Sequence, residues 1–409
     1  MPSQKGSRPK ITWKELSPAL FLVFNSLVWY TLTYALYNDA INGLRAPFSE
    51  TLIFFTVYYA GIACSGILGA MFSPSARETY LLLWMFAGAI MTAFLPTIAN
   101  NSTSVNILIS LFLGIVAGMG LPSCLAYFAD TTVVENRGLY GGITWGTIGF
   151  GTLIFLVLVS PLDLASAFAT LAAWRIFGLV VFFFLSRSWG RTQQRHSSSS
   201  YRSILQRREM VLYLVPWVMF SLVNFSEAPV LERLFGDSYV FVEFVEFAIT
   251  GFSAVVGGLL SDLVGRKRVV ITGFIILGIG YAVLSLFSEM QFSGYLYTVL
   301  DGFAWGMFAS VFFMTLWGDL AGDYRREKYY ALGGIPYFLA GFLPIIVKPY
   351  AGMIQTATAF SLASFFLFLA VLPLMYAPET LPEKTIQQRE LGKYVDDAKK
   401  FKEKSDRKK

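Results

Sequence analysis

The stretch "GGLLSDLVGRKR", Gly257 to Arg268, ends an apolar run in a carboxylate, a glycine and three consecutive cations. Working outward from it, the runs at roughly 239–260 and 269–288 are each long enough to cross about 30 Å of hydrocarbon as a helix. The rest of the chain repeats that pattern. Apolar residues make up 55% of the 409 and charged residues 14%, with a mean hydropathy of +0.57, far from a water-soluble average. Numbered in chain order as spans 1 to 12, the apolar segments fall at roughly 17–38, 51–72, 79–98, 104–128, 139–161, 165–186, 210–231, 239–260, 269–288, 294–316, 329–351 and 355–377. A transmembrane barrel is excluded, because its strands alternate over only about ten residues. The basic leader "MPSQKGSRPK" precedes a segment too long and too dotted with polar residues for a cleaved signal peptide, so span 1 reads as retained.

Lysine and arginine collect on the cytoplasmic side of membrane proteins. With the amino terminus inside, 28 of the 32 basic residues fall on that side, and only Arg45, Arg175, Arg233 and Lys348 are left for the membrane or the outside. Both termini are therefore expected in the cytoplasm, with the plasma membrane as the expected location. The serine-bearing loop "SRSWGRTQQRHSSSSYRSILQRRE" reads as a flexible linker. The divisions expected are a leader 1–16, a bundle 17–186, the linker 187–209, a second bundle 210–377 and a charged tail 378–409. Shifting the sequence by 189 residues places Gly69 on Gly258, Ser73 on Asp262, Ala76 on Gly265, Arg77 on Arg266, Asp130 on Asp319 and Arg137 on Arg326. Six matches at one offset, all at inner span ends, argue for two homologous halves. The fold expected is an all-α polytopic membrane protein, twelve helices in two pseudo-symmetric six-helix bundles.

Gly258, Asp262, Gly265, Arg266 and Lys267, after the second span of a six-span half, resemble the loop signature of the major facilitator superfamily. "ENRG" (Glu135 to Gly138), "AWRIF" (Ala173 to Phe177) and "APETLP" (Ala377 to Pro382) are similar to family patterns as well. The first half departs from the signature at Ser73 and Ala76, and span 5, "GGITWGTIGFG", lacks the Gly-Pro element of many antiporters. The resemblance implies a gating motif of Gly258, Asp262, Gly265, Arg266, Lys267, Arg77 and Arg137, which latches a half to an adjacent span when the cavity opens outward. A carboxylate at Asp262 could accept charge-assisted hydrogen bonds from a neighbouring helix end or from Arg266. Lys267 and Arg268 could equally serve as headgroup anchors.

Ionisable groups inside spans are costly unless paired or hydrated, so each is a functional candidate. Glu227, Glu243, Glu246 and Asp301 are those groups in spans 7, 8 and 10, and the resemblance implies that these spans line one cavity. Clustered carboxylates in a low dielectric can bind and release protons or hold a cation, with Glu246 and Asp301 the leading sites. In span 8, Glu243, Glu246, Thr250, Ser253, Gly257 and Ser261 form one polar stripe, expected to face water. In span 1, Asn25, Trp29 and Thr33 share a face and are candidate cavity residues, together with Thr250 and Ser253. Arg175 reads as structural, with Asp39 a candidate partner. Cys64 and Cys124 lack metal-ligand spacing and His196 stands alone, so no metal or cofactor is expected beyond a proton gradient.

No phosphate loop, nucleophile elbow or sizeable soluble domain is present, which argues against an enzyme, and cations spread over inner loops argue against nucleic-acid binding. The reading is a secondary active transporter, functional as a monomer in the lipid bilayer. It moves a small solute, a polar metabolite or organic cation, by proton-coupled alternating access. Efflux of drug-like amphipathic compounds and a non-transporting sensor of the same fold stay open as alternatives.

Overall fold

The computed structural model describes residues 13–72, 76–187 and 197–382. Within them, eleven helical stretches are long and apolar enough to cross a membrane. One of these, Arg208–Val264, has 57 residues and is broken at Gly236–Ser238, where Gly236 adopts φ +52°. Divided there, the twelve spans are Trp13–Gly43, Phe48–Phe72, Arg77–Asn100, Thr103–Thr131, Arg137–Val159, Leu164–Arg187, Arg208–Phe235, Tyr239–Val264, Arg266–Phe287, Gln291–Ala321, Arg326–Met353 and Thr356–Tyr376. Twelve crossings return the chain to the side on which it started, called here the termini side. The leader through residue 12, residues 188–196 of the linker, the tail from 383 and Ser73 lie outside the described residues. The first helix begins at Trp13, earlier than the leader's expected end.

The outer surface is greasy in a way water would not tolerate. Phe72, Phe184, Phe252 and Phe365 are 73%, 67%, 61% and 58% exposed, as side chains facing hydrocarbon are free to be.

Packing repeats between the halves. Span 1 packs on span 6 as span 7 does on span 12, span 2 on span 4 as span 8 on span 10, and span 3 on span 6 as span 9 on span 12. Across the midline, span 5 meets spans 8 and 10 while span 11 meets spans 2 and 4, again in equivalent pairs. Small residues set the closest approach: a Cβ added at Gly258 would collide with the Gly138 carbonyl, and one at Gly142 with that of Ala254. Such small-residue seams let helix backbones touch where lipid supplies no hydrophobic drive.

Span 10 holds the main irregularity. Residues Ala309–Thr315 form a π-helical segment between two α-helical parts. A widened turn of this kind changes the rotational register of the residues C-terminal to it, and such turns recur at functional sites.

Candidate functional site

Two features at the midline are built from both halves, an ion lattice at the termini side and an aromatic cavity above it. The lattice starts from the orphan N–H groups of helix starts and the arginines beside them. Arg77 binds Asp130 at 2.5 Å within the first half, and Arg266 binds Asp319 at 3.2 Å within the second. Each aspartate then takes a second arginine from the opposite half: Arg326 pairs with Asp130, and Arg137 with Asp319. Since 77, 130 and 137 each map onto 266, 319 and 326 at the 189-residue offset, the lattice obeys the same pseudo-twofold as the fold.

Two carboxylates extend it asymmetrically. Asp262 accepts the backbone N–H of Gly138 at 2.9 Å and of Leu139 at 2.7 Å, in the first turn of span 5, and Arg266 Nη1 at 2.6 Å. Those amides have no partner within their own helix, and their end of the helix dipole favours an anion. Glu327 takes Arg77 Nη2 at 2.5 Å from across the midline. Four guanidinium groups thus face four carboxylates, and the side chains of Asp319 and Glu327 are wholly buried. Charges held that far from water persist only when matched this closely. Arg266 also donates from Nη2 to the carbonyl of Val134 at 2.5 Å, another link between halves.

The remaining motif residues serve the second half internally. Gly265 has φ +106°, a conformation glycine tolerates, and an added Cβ there would strike the Glu379 carboxylate. Glu379 accepts the backbone N–H of Arg266 at 2.8 Å and of Lys267 at 3.2 Å, capping span 9. Lys267 Nζ donates to the carbonyls of Met375 and Ala377, at 3.0 and 2.9 Å, where span 12 ends. Lys267 thus ties span 9 to the end of span 12 within its own half.

The cavity lies between spans 1, 2, 4, 5, 7, 10 and 11 and measures about 90 Å³. No residue lining it is charged, and aromatic rings dominate its wall, among them Tyr30, Trp145, Trp217, Phe313, Tyr337 and Phe338. Trp217 stacks on Phe312 at 4.4 Å between centroids and on Tyr337 at 5.8 Å. Away from the termini side, Tyr30 meets Phe338 at 5.4 Å and Tyr59 meets Phe342 at 5.9 Å, so rings from both halves also adjoin there.

Several sequence expectations fail at this cavity. Span 8 contributes nothing to its wall, and neither do Asn25, Trp29, Thr33, Thr250 or Ser253. Asn25 and Trp29 point into the first bundle: Asn25 bonds the Trp174 carbonyl at 2.9 Å, and Trp29 bonds Thr92 at 2.8 Å. Thr33 is buried with its hydroxyl unpaired. Thr250 and Ser253 both donate to the Gly302 carbonyl of span 10, so the polar stripe of span 8 is a helix contact and faces no water there. The cavity face of span 1 is Leu27, Tyr30 and Thr31, turned away from the predicted one. A usable signal existed, since Trp217, Phe312, Phe313, Tyr337 and Phe338 sit in the middle of their spans, where an interfacial aromatic belt has no place.

The four membrane acids do not share a vestibule. Glu246 and Asp301 are electrostatic neighbours where spans 8 and 10 pack, and Asp301 is buried with one carboxyl oxygen unpartnered. Two carboxyls close together in a low dielectric favour one proton between them. Glu243 stands at the exposed rim beside Tyr239, and Glu227 lies apart with one buried oxygen unpartnered. None of the four lines the cavity, although Tyr337 in its wall is within electrostatic reach of Glu246.

Arg175 is fully buried and held by Asn25 at 2.9 Å and Ser26 at 2.8 Å, with its guanidinium over Trp29 and Trp84 at 4.5 and 4.3 Å. Its partners are an amide, a hydroxyl and two ring faces, with Asp39 not among them.

An all-α integral membrane protein of two matched bundles, closed on one side by shared ion pairs, is thus the class of molecule defined. Its fold is that of the major facilitator superfamily. No family model matches the sequence, and no curated protein is detectably similar to it; solved structures are. The proton:xylose symporter XylE, bound to 6-bromo-6-deoxy-D-glucose, superposes with TM-score 0.69 at 14% identity, over 91% of this chain and 97% of that one. The E. coli fucose:proton symporter FucP gives 0.66 at 10%, over 88% and 98%. The human organic anion transporter MFSD10 (TETRAN) gives 0.64 at 14%, over 88% and 99%.

Proposed function

We propose that the protein is a secondary active transporter that carries a small solute by alternating access and couples the movement to protons. The observation that carries this reading is the ion lattice. Its cross-half pairs, Arg77 with Glu327, Arg137 with Asp319, Arg326 with Asp130 and Asp262 with the start of span 5, exist only while the two halves meet at the termini side. Parting the halves exposes all eight groups to water, which solvates each of them, so a charge-balanced lattice can open where an apolar seal of equal area would resist. Placing the termini in the cytoplasm, as the 28 basic residues of that side argue, makes this the outward-directed or occluded state, in a plasma membrane and in a monomer.

The Glu246–Asp301 pair supports proton coupling. Two carboxyls sharing one proton hold it in one conformation and give it up when water or a rearranged neighbour separates them. Tyr337 would transmit that change to the cavity wall. The test is flux in proteoliposomes for a panel of labelled solutes, with and without an imposed proton gradient. Accumulation of at least one solute that collapses when the gradient is abolished is expected. Accumulation of none removes the transporter reading, and gradient-independent flux removes the coupling.

A further inference from the structure

Building on the transporter reading, we infer that the solute is an uncharged, planar, ring-bearing molecule carrying a hydrogen-bond acceptor, recognised by stacking and by the indole N–H of Trp145. Four observations converge on this. The cavity wall holds no charged side chain, and a carboxylate or phosphate brought into such a site would lose its hydration with nothing in exchange. A sugar needs a wall rich in donors and acceptors. Here two of the wall's polar groups are already committed: Trp217 Nε1 donates to the Gly333 carbonyl at 2.7 Å, and Tyr330 Oη to the Met314 carbonyl at 2.6 Å.

The rings are arranged as faces. Trp217 lies nearly parallel to Phe312 and Tyr337, with interplanar angles of 22° and 17°, and Phe313 stands edge-on to Trp217 at 88°. A flat solute extends that stack with the offset or edge-to-face geometry ring quadrupoles prefer. The cavity's 90 Å³ is of the order of the roughly 150 Å³ known to hold a single benzene ring, which is room for one ring.

Trp145 supplies direction. It lines the cavity 5.3 Å from Phe313, and its buried Nε1–H has no hydrogen-bond partner. A buried donor left unmade costs stability, so a turn of the Trp145 ring toward a solute's acceptor would be favoured. Against a cationic solute stands the placement of the acids: Glu246 and Asp301 lie outside the cavity wall, and no carboxylate lies in it.

The experiment is thermal unfolding of the full chain in lipid nanodiscs across a ring series matched in shape and differing in charge. Benzamide and nicotinamide are the neutral arms, nicotinate the anion, 1-methylnicotinamide the cation, and D-glucose the polyol. Saturable stabilisation by the two amides alone is expected. Trp145→Phe keeps the ring and removes the donor, and should weaken their apparent Kd about three- to tenfold. Stabilisation by nicotinate, 1-methylnicotinamide or glucose in their place, no stabilisation by either amide, or an unchanged Kd in the folded variant overturns the inference. Counterflow of the same labelled compounds in proteoliposomes separates the two readings. Glucose or nicotinate flux keeps the transporter and discards this solute class, whereas amide binding without counterflow keeps the site and discards the transporter.

Discussion

Replacing Asp262 with asparagine should weaken closure at the termini side without unfolding the protein. The carboxylate is 4% exposed, so solvent does not screen it, and two of its three bonds, to the Gly138 and Leu139 amides, cross the midline. Charge-assisted bonds of this kind contribute about 1.5–3 kcal/mol each. Asparagine keeps one acceptor oxygen but turns an amide N–H₂ toward another donor, so the closed state should lose about 2–4 kcal/mol. At 1.4 kcal/mol per decade, that moves the closed-to-open ratio about 30- to 700-fold. Spin labels at Phe72 and Val264, exposed residues ending spans 2 and 8 in opposite halves, report the change, with Cys64 and Cys124 replaced by serine. Double electron–electron resonance should show a longer-distance population growing at the expense of the short one. A distance distribution identical to wild type, in a variant of wild-type thermal stability, would mean that the Asp262 bonds do not hold the halves together.

The pseudo-twofold makes a comparison possible: Asp319→Asn should lower the unfolding temperature more than Asp130→Asn, because the Asp319 side chain is fully buried and that of Asp130 is 17% exposed; equal or inverted shifts in a thermal scan would count against the geometry. Glu246→Gln and Asp301→Asn should each abolish gradient-driven accumulation while leaving downhill exchange, measured in proteoliposomes with and without a pH step; accumulation that still follows the pH step in both would remove the pair from coupling. Lys267→Ala removes only the cap on span 12, so it should cost about 1 kcal/mol of stability in denaturant titration and leave the spin-label distances unmoved. A shift in those distances would return Lys267 to the latch.

The fold was legible because its determinants are one-dimensional. Span lengths follow from the thickness of hydrocarbon, and the 189-residue offset aligned Arg77, Asp130 and Arg137 with Arg266, Asp319 and Arg326 before any pairing among them was visible. The structure pairs those very groups with one another. What sequence could not give was the direction a helix face points. Asn25, Trp29, Thr250 and Ser253 were polar residues in lipid, and such residues bind neighbouring helices as readily as they line water. Here they bind helices. The cavity escaped notice for the converse reason, since Trp217, Phe313 and Phe338 have the hydropathy of lipid-facing residues and only their mid-span positions set them apart. The π-helical turn at Ala309–Thr315, which lies between Asp301 and the lattice residue Asp319, has no signature in composition at all. Glu327 was also missed, though a carboxylate beside arginines at an inner span end, as in "RRE", carries the same signal that singled out Asp262, and Glu379 was quoted within "APETLP" without a role.

The account rests on a cavity that meets each side of the membrane in turn, and a single cysteine can report that without knowledge of the solute. Ala331 lines the cavity and is 2% exposed. In reconstituted Ala331→Cys protein lacking Cys64 and Cys124, a membrane-impermeant thiol reagent should label the site from either side. Adding cysteines at Gly146 and Val255, which touch across the midline, and oxidising them should abolish labelling from the termini side alone, and reduction should restore it. Labelling confined to one side in every condition, or unaffected by the cross-link, would contradict two halves that open alternately.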